Sequence, residues 1–135
     1  MTGLPLDHVA IAVPSMAEAI PIYESLSGHL ATPVETLDHQ GVRVAFVGAV
    51  ELLEPLSPDT PVGRFLSRHG PGLHHIAYRV VNLERELRRV TADLGYEPID
   101  RVGRPGARGH RVAFLHPRST GKVLIELVES PAGTP

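Results

Sequence analysis

The chain has 135 residues, 42% hydrophobic and 21% charged, enough to bury a core as one domain or two fused half-domains. A formal charge of -2 leaves no basic stripe, and the few aromatics are not interleaved with Lys or Arg, which argues against a nucleic-acid partner. There is no cysteine, so disulfides and thiolate-held zinc are excluded, and neither a long apolar run nor a charged leader is present. The expectation is a soluble cytoplasmic protein with no membrane partner.

In chain order, Leu6 to Val13 reads as a strand bounded by Pro5 and Pro14. Ser15 stands three residues before Glu18, a capping-box spacing, and Ala19, Ile20, Tyr23 and Leu26 give a helical face that Gly28 ends. Pro21 removes an amide donor inside that helix, so a kink or an irregular stretch is expected there. His29 to Glu35, Val42 to Val47 and Val50 to Glu54 are expected strands. Thr60 and Pro61 then open a linker helix over about 60–70, with Val62, Phe65 and Leu66 on one face, closed by Gly70-Pro71-Gly72.

The second half follows the same order. Leu73 to Val80 reads as a strand, and Asn82 caps a helix with Leu83, Leu87, Val90 and Leu94 inward. Strands follow near Pro98 to Val102, at Arg111 to Leu115 and at Val123 to Val128. The fold class expected is α+β: two paired βαβββ modules, over about 5–56 and 72–130 of a single domain, whose sheets form a half-open barrel around a metal site.

The metal site comes from the repeat. His8 opens the run Val-Ala-Ile-Ala-Val, and His75 opens Ile-Ala-Tyr-Arg-Val. Each half later carries one glutamate in an apolar strand, Glu51 in Val-Glu-Leu-Leu and Glu126 in Leu-Ile-Glu-Leu. Two His and Glu pairs converging on one point would supply four ligands to a cation. Side chains alternate faces along a strand, so Leu52 and Ile125 can pack on the helices while the glutamates point the other way. A lone strand histidine is more often structural than a ligand; its repetition is what favours a metal, and a cation would offset two buried carboxylates.

Several stretches also resemble a known family: Leu6-Asp-His-Val-Ala-Ile-Ala-Val, Gln40-Gly-Val-Arg-Val-Ala-Phe, Glu51-Leu-Leu-Glu-Pro-Leu-Ser-Pro-Asp, Gly72-Leu-His-His-Ile-Ala-Tyr, and Arg104-Pro-Gly-Ala through Phe114-Leu-His-Pro-Arg-Ser-Thr to Val123-Leu-Ile-Glu-Leu. Together they resemble the vicinal oxygen chelate (glyoxalase/bleomycin resistance) superfamily, and within it the methylmalonyl-CoA epimerases. The resemblance implies His8, Glu51, His75 and Glu126 as metal ligands; the position of Glu51 can be glutamine or glutamate in the family. It also implies an acyl-CoA substrate and a homodimer. Of the His74-His75 pair it points to His75, leaving His74 as a supporting or structural residue.

Two imidazoles and two carboxylates suit a divalent ion such as cobalt, manganese, nickel, zinc or magnesium, with open positions for two neighbouring substrate oxygens. In a malonyl thioester those are the thioester carbonyl and the free carboxylate. Chelating them stabilises the enolate left when the carbon between them loses its proton, and reprotonation on the other face inverts that centre, in methylmalonyl-CoA or ethylmalonyl-CoA. Some of the bacterial epimerases it resembles can carry a glutamate where this chain has Val44, so proton transfer is assigned to Glu51 or Glu126. The alternatives are another metal-dependent isomerase or lyase, such as a glyoxalase, and a non-catalytic small-molecule binding or resistance protein of the same fold. Ring-cleaving dioxygenation uses a single carboxylate and is disfavoured by Glu51.

Glu54 is read as solvent-facing, and His29, His39, His69, His110 and His116 as surface or structural residues. The stretch Gly103-Arg-Pro-Gly-Ala-Arg-Gly is not a phosphate loop of the usual kind; it is read as a mobile rim, where Arg101, Arg104 and Arg108 are either solvated or meet coenzyme A phosphates.

Overall fold

The computed structural model describes residues 3–131. In chain order they form β1 (Leu6–Ala12), α1 (Met16–Ser27), β2 (Glu35–Leu37), β3 (Val42–Val47), β4 (Val50–Pro55), α2 (Pro61–His69), β5 (Gly72–Val80), α3 (Leu83–Ala92), β6 (Arg104–Pro105), β7 (Arg111–Leu115) and β8 (Leu124–Glu129). The order strand, helix, three strands occurs twice, and the fold is α+β. Backbone proximity divides the chain into a first unit, residues 8–74, and a second made of residues 3–7 with 75–131. The N-terminal segment joins the second unit because the Arg79 N–H donates to the Pro5 carbonyl at 2.9 Å and Leu4 packs against the α3 core. No helix among the described residues is long and apolar enough to cross a membrane.

Within the first unit the strands lie in the order β2-β3-β4-β1, with β1 parallel to β4 and the other pairs antiparallel. Ser15 caps α1 by accepting the Glu18 N–H at 3.2 Å, and the helix turns off at Gly28 with φ 75. Met16 and Ala19, with Ile20 and Tyr23 half-buried, pack on Val13, Ala45, Val47 and Leu52. In the second unit β5 runs parallel to β8, with β7 and β6 antiparallel beyond it. Leu83, Leu87 and Val90 of α3 cover Val80, Ala113, Leu115 and Leu127, with Ile125 packed alongside.

Five local expectations are corrected. The strand expected over His29 to Glu35 is confined to Glu35–Leu37: Thr32 exchanges bonds with Phe46, but Pro33 has no amide to continue the ladder. The strand expected near Pro98 to Val102 is a bridge at Pro98, and β6 begins at Arg104. Pro98 again lacks a donor, and the Gly103 N–H is diverted to Glu84 Oε2 at 2.7 Å. Helix α1 is a single element with no irregular stretch at Pro21, which is exposed; the Ala17 carbonyl that would have received its N–H also lies on the exposed side, where water can satisfy it. Leu26 on α1 is exposed rather than inward, and Leu94 is exposed because α3 ends at Ala92, before the next inward turn is complete.

Candidate functional site

His8 meets Glu51 in the first unit and His75 meets Glu126 in the second, through one repeated register. Glu51 on β4 stands beside Ala10 of β1, and Glu126 on β8 stands beside Ala77 of β5. Each histidine lies two residues before that alanine, so the pleat sets histidine, alanine and glutamate on one face. Both alanines are fully buried, and their methyl groups leave room for the imidazole and carboxylate to approach. His8 Nε2 lies 3.3 Å from Glu51 Oε1, and His75 Nε2 lies 3.7 Å from Glu126 Oε2. All four side chains are at least nine-tenths buried.

A phenylalanine backs each pair. Phe46 is cross-strand from Glu51, and its ring meets the His8 ring edge-on, centroids 5.2 Å apart at 87°. Phe114 is cross-strand from Glu126 and meets His75 at 5.3 Å and 89°. An edge-on ring restricts the imidazole's rotation, which keeps its Nε2 on the carboxylate side. The sequence reading missed both phenylalanines, although each follows its histidine at nearly the same distance in the chain. Leu52 and Ile125 lie on the opposite pleat in the helix-packed cores, as alternation requires.

The donor chemistry fits a metal. Ligand atoms sharing an ion through bonds of about 2.1 Å lie roughly 3.0–3.4 Å apart. The first pair falls within that range and the second a few tenths of an ångström outside it. Buried imidazole and carboxylate suit divalent first-row ions and magnesium, and a cation would relieve the cost of burying the carboxylates.

Glu54, read as solvent-facing, is instead half-buried and caps a helix. The Met16 N–H at the start of α1 donates to its Oε2 at 2.7 Å, and Arg43 binds its Oε1. Glu129 repeats the arrangement in the second unit: the Leu83 N–H at the start of α3 donates to Oε2 at 2.7 Å, and Arg111 Nη1 to Oε1 at 3.0 Å. Arg111 also binds Glu84 and holds that carboxyl below the usual carboxylate range. Each of β4 and β8 therefore carries two glutamates of opposite use. Glu51 and Glu126 face the site, and three residues on Glu54 and Glu129 face the helices.

The other residues of interest sort by contact. Val44 is buried on the Phe46 face of β3, where it can move no proton. His74 packs edge-on to Phe65 of α2 in the first unit, and His116 caps the turn after β7 by accepting the Arg118 N–H on Nδ1 at 3.2 Å. In the loop before β7, Arg101 is exposed and Arg108 is 3.6 Å from Asp7. Arg104 lies over the Phe114 ring, 5.4 Å from its centroid.

Residues 7–114 match the family model described as Glyoxalase/Bleomycin resistance protein/Dioxygenase superfamily. The chain belongs to that superfamily. It is 44% identical to the uncharacterized protein YqjC of Bacillus subtilis, over 92% of this chain and 91% of that one. It is 36% identical to the ethylmalonyl-CoA/methylmalonyl-CoA epimerase of Cereibacter sphaeroides, over 90% of this chain and 95% of that one. Among solved structures it resembles a Glu-to-Leu variant of Streptomyces coelicolor methylmalonyl-CoA epimerase in complex with 2-nitronate-propionyl-CoA. The TM-score is 0.89 at 31% identity, covering 98% of this chain and 100% of that one.

Proposed function

We propose that this protein is a divalent-metal-dependent epimerase that inverts the carbon between the thioester and the free carboxylate of methylmalonyl-CoA, with ethylmalonyl-CoA as a second substrate. The observation that carries the reading is the duplicated, buried histidine–glutamate pair backed by a phenylalanine. Relatives named as epimerases of these thioesters support it. His8, Glu51, His75 and Glu126 are the proposed ligands. Bound there, a divalent cation supplies Lewis-acid polarisation of two neighbouring substrate oxygens.

The chain's own residues then handle the proton. With an apolar side chain at Val44, Glu51 and Glu126 are the carboxylates assigned to take a proton from one face of the substrate carbon and return one to the other. Phe46 and Phe114 hold the imidazoles in orientation. The reading extends to a homodimer in the cytoplasm, which sedimentation and cell fractionation test.

Incubation in heavy water with methylmalonyl-CoA, with and without a chelator, tests the function. Deuterium at the 2-position that disappears on chelation and returns with added metal is expected. No label in the metal-loaded protein would leave a non-catalytic binder as the better reading. Glu51→Gln and Glu126→Gln should each lose exchange while retaining metal; wild-type exchange in both would remove the proton-transfer assignment.

A further inference from the structure

Arg104 is a cation mounted on the wall of the second histidine–glutamate pair. It lies on β6 opposite Val112, and Val112, Phe114, Ala77 and Val128 form one buried cluster on the face that carries His75 and Glu126. Its guanidinium sits over the Phe114 ring, which also meets the His75 ring edge-on. That chain of contacts puts the charge within about 11 Å of the imidazole. The guanidinium is only partly engaged by the protein: Nε is buried and donates no hydrogen bond among the described residues. Nε is ion-paired with Asp100 Oδ2 at 3.5 Å, an oxygen that also accepts the Phe114 N–H at 2.9 Å, and the two terminal nitrogens make no hydrogen bond among the described residues. The neighbouring loop cation Arg108 is paired with Asp7, and Arg111 with Glu84 and Glu129. Arg104 therefore keeps donor capacity, and its side chain is 41% exposed, so a ligand can reach it.

We infer that Arg104 binds the free carboxylate of the substrate and selects malonyl-type thioesters over simple acyl thioesters. The inference rests on the proposed function and deepens it. Glu51 and Glu126 together carry two negative charges, which match a divalent ion, so a donor set with two carboxylates brings the substrate's own carboxylate to a centre with no net positive charge. A further cation would offset that charge, and a guanidinium placed over an aromatic ring presents paired N–H donors with reduced ordering cost. The short span from Arg104 to His75 favours the acyl end of the substrate, because the phosphates of coenzyme A lie a full pantetheine arm away.

Titration calorimetry of metal-loaded wild type, Arg104→Gln and Arg104→Lys with methylmalonyl-CoA and with propionyl-CoA separates the two anions, since only the first carries the carboxylate while both carry the phosphates. Arg104→Gln should weaken methylmalonyl-CoA about tenfold or more and propionyl-CoA less than twofold, with Arg104→Lys, which keeps the charge and the ring contact, in between. Equal loss for both ligands would move Arg104 to the phosphates, and no loss for either would leave it structural; each overturns the inference. Heavy-water exchange on wild type keeps the two readings apart: label uptake without the expected difference in affinity refutes Arg104 alone. If wild type neither binds methylmalonyl-CoA nor takes up label, the functional reading fails and this assignment fails with it.

Discussion

Glu51 and Glu54 stand three residues apart on one strand, and removing each should have opposite consequences. Glu54→Ala deletes the acceptor of the Met16 N–H at the first turn of α1, an anionic cap worth about 1–2 kcal/mol. It also frees Arg43, whose 45% exposed side chain limits that contact to about 0.5 kcal/mol after solvent screening. The expected loss is about 2 kcal/mol. For a chain of 135 residues, with an unfolding entropy of about 0.28 kcal/mol/K, that is a fall in Tm of roughly 7 °C. Because Glu54 faces the helix, deuterium exchange into methylmalonyl-CoA should stay within about threefold of wild type at 25 °C. Glu51→Gln should do the reverse. In metal-free protein it removes a buried charge and leaves Tm unchanged or raised, while exchange in the metal-loaded protein drops at least a hundredfold. Calorimetric melting and label incorporation on the same preparations read both effects. If Glu51→Gln melts low and still exchanges, or Glu54→Ala melts like wild type and does not, the assignment of the two faces is wrong.

Gly63→Ala should cost more than an ordinary glycine-to-alanine change in a helix. The new methyl carbon would lie 2.3 Å from the Ser57 carbonyl oxygen and 2.7 Å from that of Pro58, both backbone atoms, so the start of α2 must shift. A loss of about 2 kcal/mol or more is expected by chemical denaturation, against about 1 kcal/mol for Gly28→Ala, where space is open and only the positive φ resists. Acid stability should depend on Glu84, whose folded pKa the Arg111 guanidinium lowers from 4.5. Its stabilisation is present above about pH 4.5 and is lost as the pH falls through the folded pKa, so Glu84→Gln should flatten the acid limb of a Tm–pH profile below about pH 4.5. An unchanged limb in the variant would mean that Arg111 does not hold this carboxylate in solution.

The parts of the molecule that were legible in the sequence are those governed by local chemistry. Ser15, Asn82 and Thr60 each accept a backbone N–H three residues on and begin α1, α3 and α2, because a capping side chain acts within its own turn. The histidine–glutamate pairs were legible because duplication wrote them twice. Leu26 and Leu94 were misread because apolar periodicity does not say where a helix stops meeting a sheet. Glu54 and Glu129 were opaque for a related reason: a glutamate in an apolar strand looks the same whether it faces a site or a helix terminus 38 or 46 residues away in sequence.

By itself, then, the sequence determined the order of elements, the duplicated modules and the repeated histidine–glutamate pairs, because periodicity, capping and repetition are short-range properties of the chain. Tertiary structure alone decided how those residues are used. Strand register sets Glu51 beside Ala10 and Glu126 beside Ala77, brings a phenylalanine edge to each imidazole, turns Glu54 and Glu129 to the helices, and lays Arg104 across Phe114. Register is a pairing between distant segments, and shifting it by one residue would send every one of these side chains to the other face.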